Sequence, residues 1–330
     1  MDKLWNQIIV AFLMGALLPR AMLQVGNWVS PPETMPTEVT VASVTLQTEA
    51  PKPTEPVIAN YLPVLVEENR IVMMELEDYI LGVVLAEMPA SFAREAKKAQ
   101  AVVARTFALK AAVTGGKHGD GSVCTESVCC QAYIPPEDYG GPAEAVDQAR
   151  SAAEETSGQV LTYGEVLIEA TYFSCSGGST EDAVAVWGRD FPYLRATDSP
   201  GEEKAVHYTD TVYFTEKEFQ NALGISLPGT PDGWFGFTTY TSGGGVNTIR
   251  IGGRDYKGTE LRKLLGLKST AFTVSADPKG VTITTRGYGH RVGMSQYGAD
   301  AMAEGGSSYE QILSYYYQGT SLVAWNPEEN

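Results

Sequence analysis

Residues 76–113 read LEDYILGVVLAEMPASFAREAKKAQAVVARTFALKAAV. Apolar side chains at Leu76, Tyr79, Ile80, Val83 and Val84 recur at helical spacing. Pro89 ends that pattern, because the residue before a proline avoids helical geometry. Glu87 therefore falls at the helix end. Ser91 is positioned to cap a second helix with Arg94 and Glu95 in its first turn. The second helix is basic and Ala-rich, runs to about Val113, and meets a stop at Gly115-Gly116. A cluster of His118, Cys124, Cys129 and Cys130 follows within a short loop-like run.

Downstream, Ala143 to Thr156 is a further helical pattern. From Gln159 the texture changes to strands, at Val160–Tyr163 and Val166–Tyr172 about a turn at Gly164, then at Thr248–Ile251, Ala271–Ser275 and Val281–Arg286. A short apolar run, Ile71–Met74, suits an opening strand, and Tyr309–Tyr317 a closing helix. Helices first and mostly antiparallel strands afterwards predict an α+β fold, a helical N-terminal portion followed by a β portion enclosing a cleft. No Gly-rich phosphate loop follows a strand in the required register.

The chain has 330 residues and a formal charge of −16. That charge argues against nucleic acid, whose phosphates call for basic patches. Ile8–Leu18 (IIVAFLMGALL) is apolar and follows Lys3. Three readings of residues 1–26 compete: an uncleaved membrane anchor, a cleaved signal segment and a buried globular helix. The first is expected, because PRAMLQ makes a poor cleavage site and a non-globular stretch follows. Residues 27–60 carry prolines at 31, 32, 36, 51, 53 and 56, and Lys52 is the one basic residue between Arg20 and Arg70. Such a segment reads as a flexible linker. The folded domain is then expected over 61–330.

Four stretches offer chemistry. A carboxylate at a helix C-terminus faces unsatisfied carbonyls, which favours its protonated form and suits a general acid. A surface carboxylate at a helix end is the plainer reading of Glu87. The His/Cys cluster has the ligand softness of a zinc site. A disulfide is the alternative, although adjacent Cys129 and Cys130 pair awkwardly, and binding one ion with both needs a turn. The run Tyr172-Phe173-Ser174-Cys175-Ser176-Gly177-Gly178-Ser179 could hold a sugar chain or be an ordinary turn; it lacks the G-x-S-x-G pattern of a nucleophile elbow. The run from Arg286 to Gly298 (RGYGHRVGMSQYG) interleaves glycines with His290, Gln296 and tyrosines, which suits carbohydrate.

Taken together, LEDYILGVVLAEMPASFAREAKKAQAVVARTFAL, VCTESVCCQAY, ATYFSCSGGSTEDAVAVWG and GYGHRVGMSQYGA resemble the SpoIID family. In order and spacing the likeness spans about Leu76 to Leu322. It implies a membrane-anchored lytic transglycosylase that cuts peptidoglycan glycan strands, preferring those stripped of stem peptides, during forespore engulfment. On the same ground Glu87 is the catalytic glutamate. His118, Cys124 and Cys130 are zinc ligands, and Cys129 stands where some members carry His. The zinc would be structural, and Cys175 is left over as a thiol. Arg105, Tyr172, Ser176, His290, Gln296 and Tyr297 are the candidates for holding substrate or shaping its cleft, and residues 200–268 an approximate insertion. The resemblance also implies partners, the sporulation proteins P (an amidase and endopeptidase) and M (a membrane protein), and a catalytic domain between the mother-cell and forespore membranes. Some relatives look like non-catalytic enhancers of cell-wall amidases, which is the competing reading. A zinc hydrolase is a third, and requires an open metal position.

Overall fold

The computed structural model of this chain describes residues 61–66 and 70–326. The expected anchor and linker, residues 1–26 and 27–60, lie outside the described residues. Among those described, no helix is long and apolar enough to cross a membrane.

The fold is α+β. Strands β1 (Tyr61–Val66) and β2 (Arg70–Glu75) pair antiparallel and lead directly into α1 (Leu76–Glu87). Glu77 and Asp78 in the first turn favour the helix dipole. The sequence pattern marks one apolar stripe, yet Leu81, Gly82 and Leu85 are buried as well, so α1 is a core helix. It ends at Met88, whose extended backbone leads into Pro89.

Helix α2 (Arg94–Thr114) packs along α1. Its buried alanines, Ala96, Ala99, Ala101, Ala104 and Ala108, allow close approach by neighbouring elements. Ser91 does not cap it. The N-cap is Ala93, whose N–H is satisfied from far along the chain by Asp300 Oδ1 at 2.8 Å. Gly115, with φ of 85°, ends the helix as expected. Strand β3 (Val123–Cys124) then joins β1 in parallel, and α3 (Ala143–Glu155) packs on α1 and α2.

Strands β4 (Gln159–Tyr163) and β5 (Val166–Leu167) form a hairpin. Both central residues, Gly164 and Glu165, have positive φ, as a type I′ turn requires. The expected strand to Tyr172 breaks after Leu167, where Glu169 turns to Lys110, and only β6 (Tyr172–Phe173) resumes it. Helix α4 (Ala183–Trp187) follows.

A second core comes next. It is built from β7 (Thr209–Thr215), α5 (Glu216–Leu223), β8 (Phe235–Tyr240), β9 (Val246–Ile251), β10 (Arg254–Lys257), α6 (Gly258–Leu264), β11 (Phe272–Asp277) and β12 (Gly280–Arg286). Its two antiparallel sheets, ordered β10-β9-β8 and β11-β12-β7, enclose Phe219, which stacks on Trp234 at 5.9 Å. The residues expected as an insertion at 200–268 share this core with β11 and β12.

The chain then returns to the first core. Strand β13 (Met294–Ser295) pairs in parallel with β6, helices α7 (Gln296–Glu304) and α8 (Tyr309–Tyr316) pack on α2, and β14 (Ser321–Ala324) pairs with β4. The helical layer is therefore closed from both ends of the described chain.

Candidate active site and metal centre

Glu87 is the last residue of α1 and lines a cleft of about 720 Å³. Three separate segments meet its carboxylate. The Ala132 N–H donates to Oε1 at 2.8 Å. Gln296, the first residue of α7, donates from Nε2 to Glu87 Oε2 at 3.4 Å and to its carbonyl at 3.2 Å. The Tyr172 phenol stands beside the carboxylate; burial, then the Glu87 charge, push it well above the ordinary phenol range, so it remains a donor. Its single O–H donates to Gln131 Oε1 at 3.2 Å. No cation pairs with Glu87 among the described residues. The other carboxylate lining the cleft, Glu169, is held by Lys110 at 3.1 Å.

His118, Cys124, Cys129 and Cys130 converge at the cleft's edge. Their ligand atoms all lie within 4.8 Å of one another and could hold a metal ion. Cys130 Sγ is 3.5 Å and Cys129 Sγ 3.8 Å from His118 Nε2, and the two sulfurs are 4.0 Å apart. All four cysteines are free thiols, so the disulfide alternative fails. The turn needed by the adjacent pair is present: the N–H groups of Cys129 and Cys130 both donate to the Glu126 carbonyl at 2.9 Å. Burial, then the neighbouring Cys124, push the Cys130 thiol up to about 12, despite opposing backbone hydrogen bonding. Cys124 goes the other way: burial opposes ionisation, but hydrogen bonds from the Glu126 backbone, His118 and the other thiols bring it down to about 7. The set therefore favours a first thiolate at Cys124.

The remaining candidates divide. His290 lines the cleft between Trp187 and Phe173, with ring centroids 5.4 and 5.6 Å away. Its Nδ1 accepts the Val292 N–H at 3.1 Å, which leaves the ring proton on Nε2. Burial, then the charge of Arg262, bring its pKa down to about 4, so the ring is neutral at pH 7.

Arg105, Ser176 and Tyr297 do not line the cleft. Arg105 is fully buried and makes a bidentate pair with Glu77 at 2.9 and 2.6 Å. It also donates to the Ala153 and Gln159 carbonyls, tying α1 to the end of α3 and to β4. Ser176 is buried against Glu202, a fully buried carboxylate. Glu202 accepts from the Ser176 N–H and hydroxyl, the Gly177 N–H, the Ser199 hydroxyl and the Cys175 thiol. Burial, then the Glu202 charge, push the leftover Cys175 thiol up to about 12. Tyr297 packs edge-on against Phe92 at 4.9 Å.

Sequence reasoning did not single out Trp187, Arg189 and Phe191, which line the cleft, or Ala132, which donates to Glu87. Ala132 follows the last metal-type cysteine by two residues, which is its only local signal. Arg291 was also passed over. It is buried, has the left-handed φ of 66°, and donates to the Ser176, Ser179 and Gly243 carbonyls and to Glu181.

Comparison with known proteins places this geometry in context. The family model described as SpoIID, stage II sporulation protein, matches residues 66–163. The chain is 41% identical over 254 residues to stage II sporulation protein D of Bacillus subtilis (strain 168), covering 75% of this chain and 74% of that protein. It is 40% identical to the protein of the same name from Bacillus amyloliquefaciens, with the same coverage. It is also 32% identical over 297 residues to the amidase enhancer of Bacillus subtilis, covering 74% of this chain and 40% of that protein.

Proposed function

The chain belongs to the SpoIID family of stage II sporulation proteins, and on that premise we propose that it is a peptidoglycan lytic transglycosylase acting in forespore engulfment. The observation that carries this reading is the cleft-lining Glu87, free of any cation among the described residues, held by the Ala132 and Gln296 donors and with the Tyr172 phenol beside it.

A hydrolytic glycosidase usually divides its work between two carboxylates. Here the second cleft carboxylate, Glu169, is neutralised by Lys110. One carboxylate suffices if the substrate supplies its own nucleophile. Glu87 gives its proton to the oxygen linking N-acetylmuramic acid to N-acetylglucosamine, and the C1–O bond breaks. The resulting carboxylate takes the proton of the muramic acid 6-hydroxyl, whose oxygen closes on C1. A 1,6-anhydro end forms, no water is consumed, and Glu87 is protonated again. Gln296 and Ala132 hold the carboxylate in place between the two transfers.

The metal is zinc in this reading. Four Cys/His ligands around a zinc ion, with Zn–S of about 2.3 Å, set neighbouring ligand atoms about 3.7 Å apart. The separations among His118, Cys129 and Cys130, 3.5–4.0 Å, match this, and Cys124 completes a set within 4.8 Å. A complete protein ligand set leaves no open position for water, so zinc would supply structure. What His118, Cys124, Cys129 and Cys130 would then do is hold the loop that presents the Ala132 N–H to Glu87.

Residues 1–26 would anchor the domain to the cell membrane, with the sporulation proteins P and M as partners. The decisive assay is mass analysis of products from glycan stripped of stem peptides. Anhydro-muramic ends are expected from the wild type and none from Glu87→Gln; hydrated reducing ends would sink the proposal. Similarity to an amidase enhancer supports a second reading, in which the cleft binds glycan without cutting it. Stimulation of an amidase by a purified chain that produces no new ends would favour it.

A further inference from the structure

The chain carries 40 acidic against 24 basic residues, and fewer than half of the described Lys and Arg side chains form ion pairs. Two of the cations without an acidic partner, Arg189 and Lys117, line the cleft. Arg189 lines the cleft and is exposed; its guanidinium lies over the Phe191 ring at 4.9 Å, and it meets no carboxylate among the described residues. Lys117 also lines the cleft, where its Nζ donates to the Cys129 carbonyl. Behind the cleft-lining Tyr288, Lys268 Nζ sits 5.0 Å from the ring centroid, and the Arg262 charge reaches both Tyr288 and His290. Neither Lys268 nor Arg262 has a carboxylate within salt-bridge distance among the described residues. In so acidic a chain, unpaired cations gathered about one cleft, next to the exposed Trp187, favour a ligand that is both flat-faced and anionic.

We propose that Arg189, supported by Lys117, binds the lactyl carboxylate of a muramic acid residue. The inference rests on the glycan-cleaving reading of the same cleft and deepens it. The lactyl group is an anionic carboxylate only where no stem peptide is attached; with a peptide in place it is a neutral amide. A guanidinium offers a carboxylate two parallel charge-assisted hydrogen bonds that an amide cannot accept equally. Arg189 is then the residue that makes the cleft distinguish stripped from peptide-bearing strands, and the aromatic wall beside it takes the sugar face.

The test measures equilibrium binding to full-length Glu87→Gln protein, which cannot consume its ligand. Three probes are used: stripped glycan, the same glycan with its lactyl carboxylates converted to primary amides, and a chitin oligosaccharide, which has no lactyl group. Stripped glycan should bind about tenfold tighter than either comparison ligand, the scale of one charge-assisted contact. Adding Arg189→Gln should erase most of that ratio, whereas Arg189→Lys should retain part of it by keeping the charge. A wild-type ratio near one, or a ratio unchanged by Arg189→Gln, overturns the proposal. A phosphate-bearing wall polymer that binds tighter than stripped glycan and loses its advantage in Arg189→Gln also overturns it, by assigning the cations to phosphate. Because the readout is affinity, it stands apart from product analysis. Hydrated ends from the wild-type protein would refute the transglycosylase reading while leaving the carboxylate ratio to decide this one.

Discussion

At the residue scale, the site works by giving one carboxylate several donors and no counter-ion. Tyr172→Phe removes a hydroxyl that stands beside Glu87 without opening a cavity. We expect kcat to fall about tenfold with KM little changed, the cost of one hydrogen bond to a charged group. A rise in KM with kcat unchanged would move Tyr172 from Glu87 to the substrate. His290 makes a different prediction. Its folded pKa of about 4 lies below the ordinary value near 6.5, so between those values the unfolded chain binds the extra proton. The stability contributed by the neutral ring is complete above about pH 6.5 and is lost as pH falls towards 4. The unfolding free energy from urea titrations should therefore drop between pH 7 and 5 by an amount on the order of 1–2 kcal/mol, and His290→Asn should flatten that part of the slope. Equal slopes in the two proteins would remove His290 as the cause.

At the element scale, α1 is the organising piece, and its one glycine shows why. The Tyr133 ring stacks on Tyr79 at 5.6 Å and lies directly over Gly82, where an added Cβ would come within 2.2 Å of the ring. The Ile134 N–H also donates to the Gly82 carbonyl at 3.1 Å. Gly82→Ala improves helix propensity by about 1 kcal/mol, yet it must push out the segment that begins with Gln131 and Ala132. A lower thermal midpoint is expected despite the propensity gain; a higher one would show that Tyr133 moves freely. The loop carrying the His/Cys cluster is coupled to the same segment. Chelation, or Cys130→Ser, should lower activity together with stability, because Ala132 loses its support. Activity that survives complete metal loss, measured by elemental analysis, would separate the loop from Glu87.

At the scale of the whole molecule, two hydrophobic cores are joined through polar clasps. Arg291 reaches the Gly243 carbonyl, and Glu181 accepts from the Thr241 hydroxyl and the Gly245 N–H, so the SCSGG loop is tied to the turn before β9. Arg291 and Glu181 are 2% and 1% exposed and 3.1 Å apart. Removing one partner leaves a buried charge unpaired, which typically costs about 3–5 kcal/mol. Arg291→Met should therefore be strongly destabilised in denaturant unfolding, more than the exposed Arg250→Met, which loses only a surface pair with Asp255.

Periodicity and punctuation made α1, α2, α3 and α8 legible to within a residue or two, because helix period, Pro89 and Gly115 are local facts. The same locality made Glu87 and the His/Cys cluster visible as candidates. Ser91 misled because α2 starts at Ala93 with no side-chain cap, and the Ala93 N–H is met instead by Asp300, some two hundred residues away in the chain. Arg105 and Ser176 looked like substrate contacts since a motif reports only that polar groups are present. Their partners, Glu77 and Glu202, bury them. By itself, then, the sequence determined the α+β class, the family and the residue types available for chemistry, all carried by short-range pattern. Only the tertiary structure decided which of those residues share one cleft. Glu87, Ala132, Tyr172 and Gln296 meet there because α1, the His/Cys loop, β6 and α7 pack together, and that depends on side-chain complementarity between segments that no local pattern records.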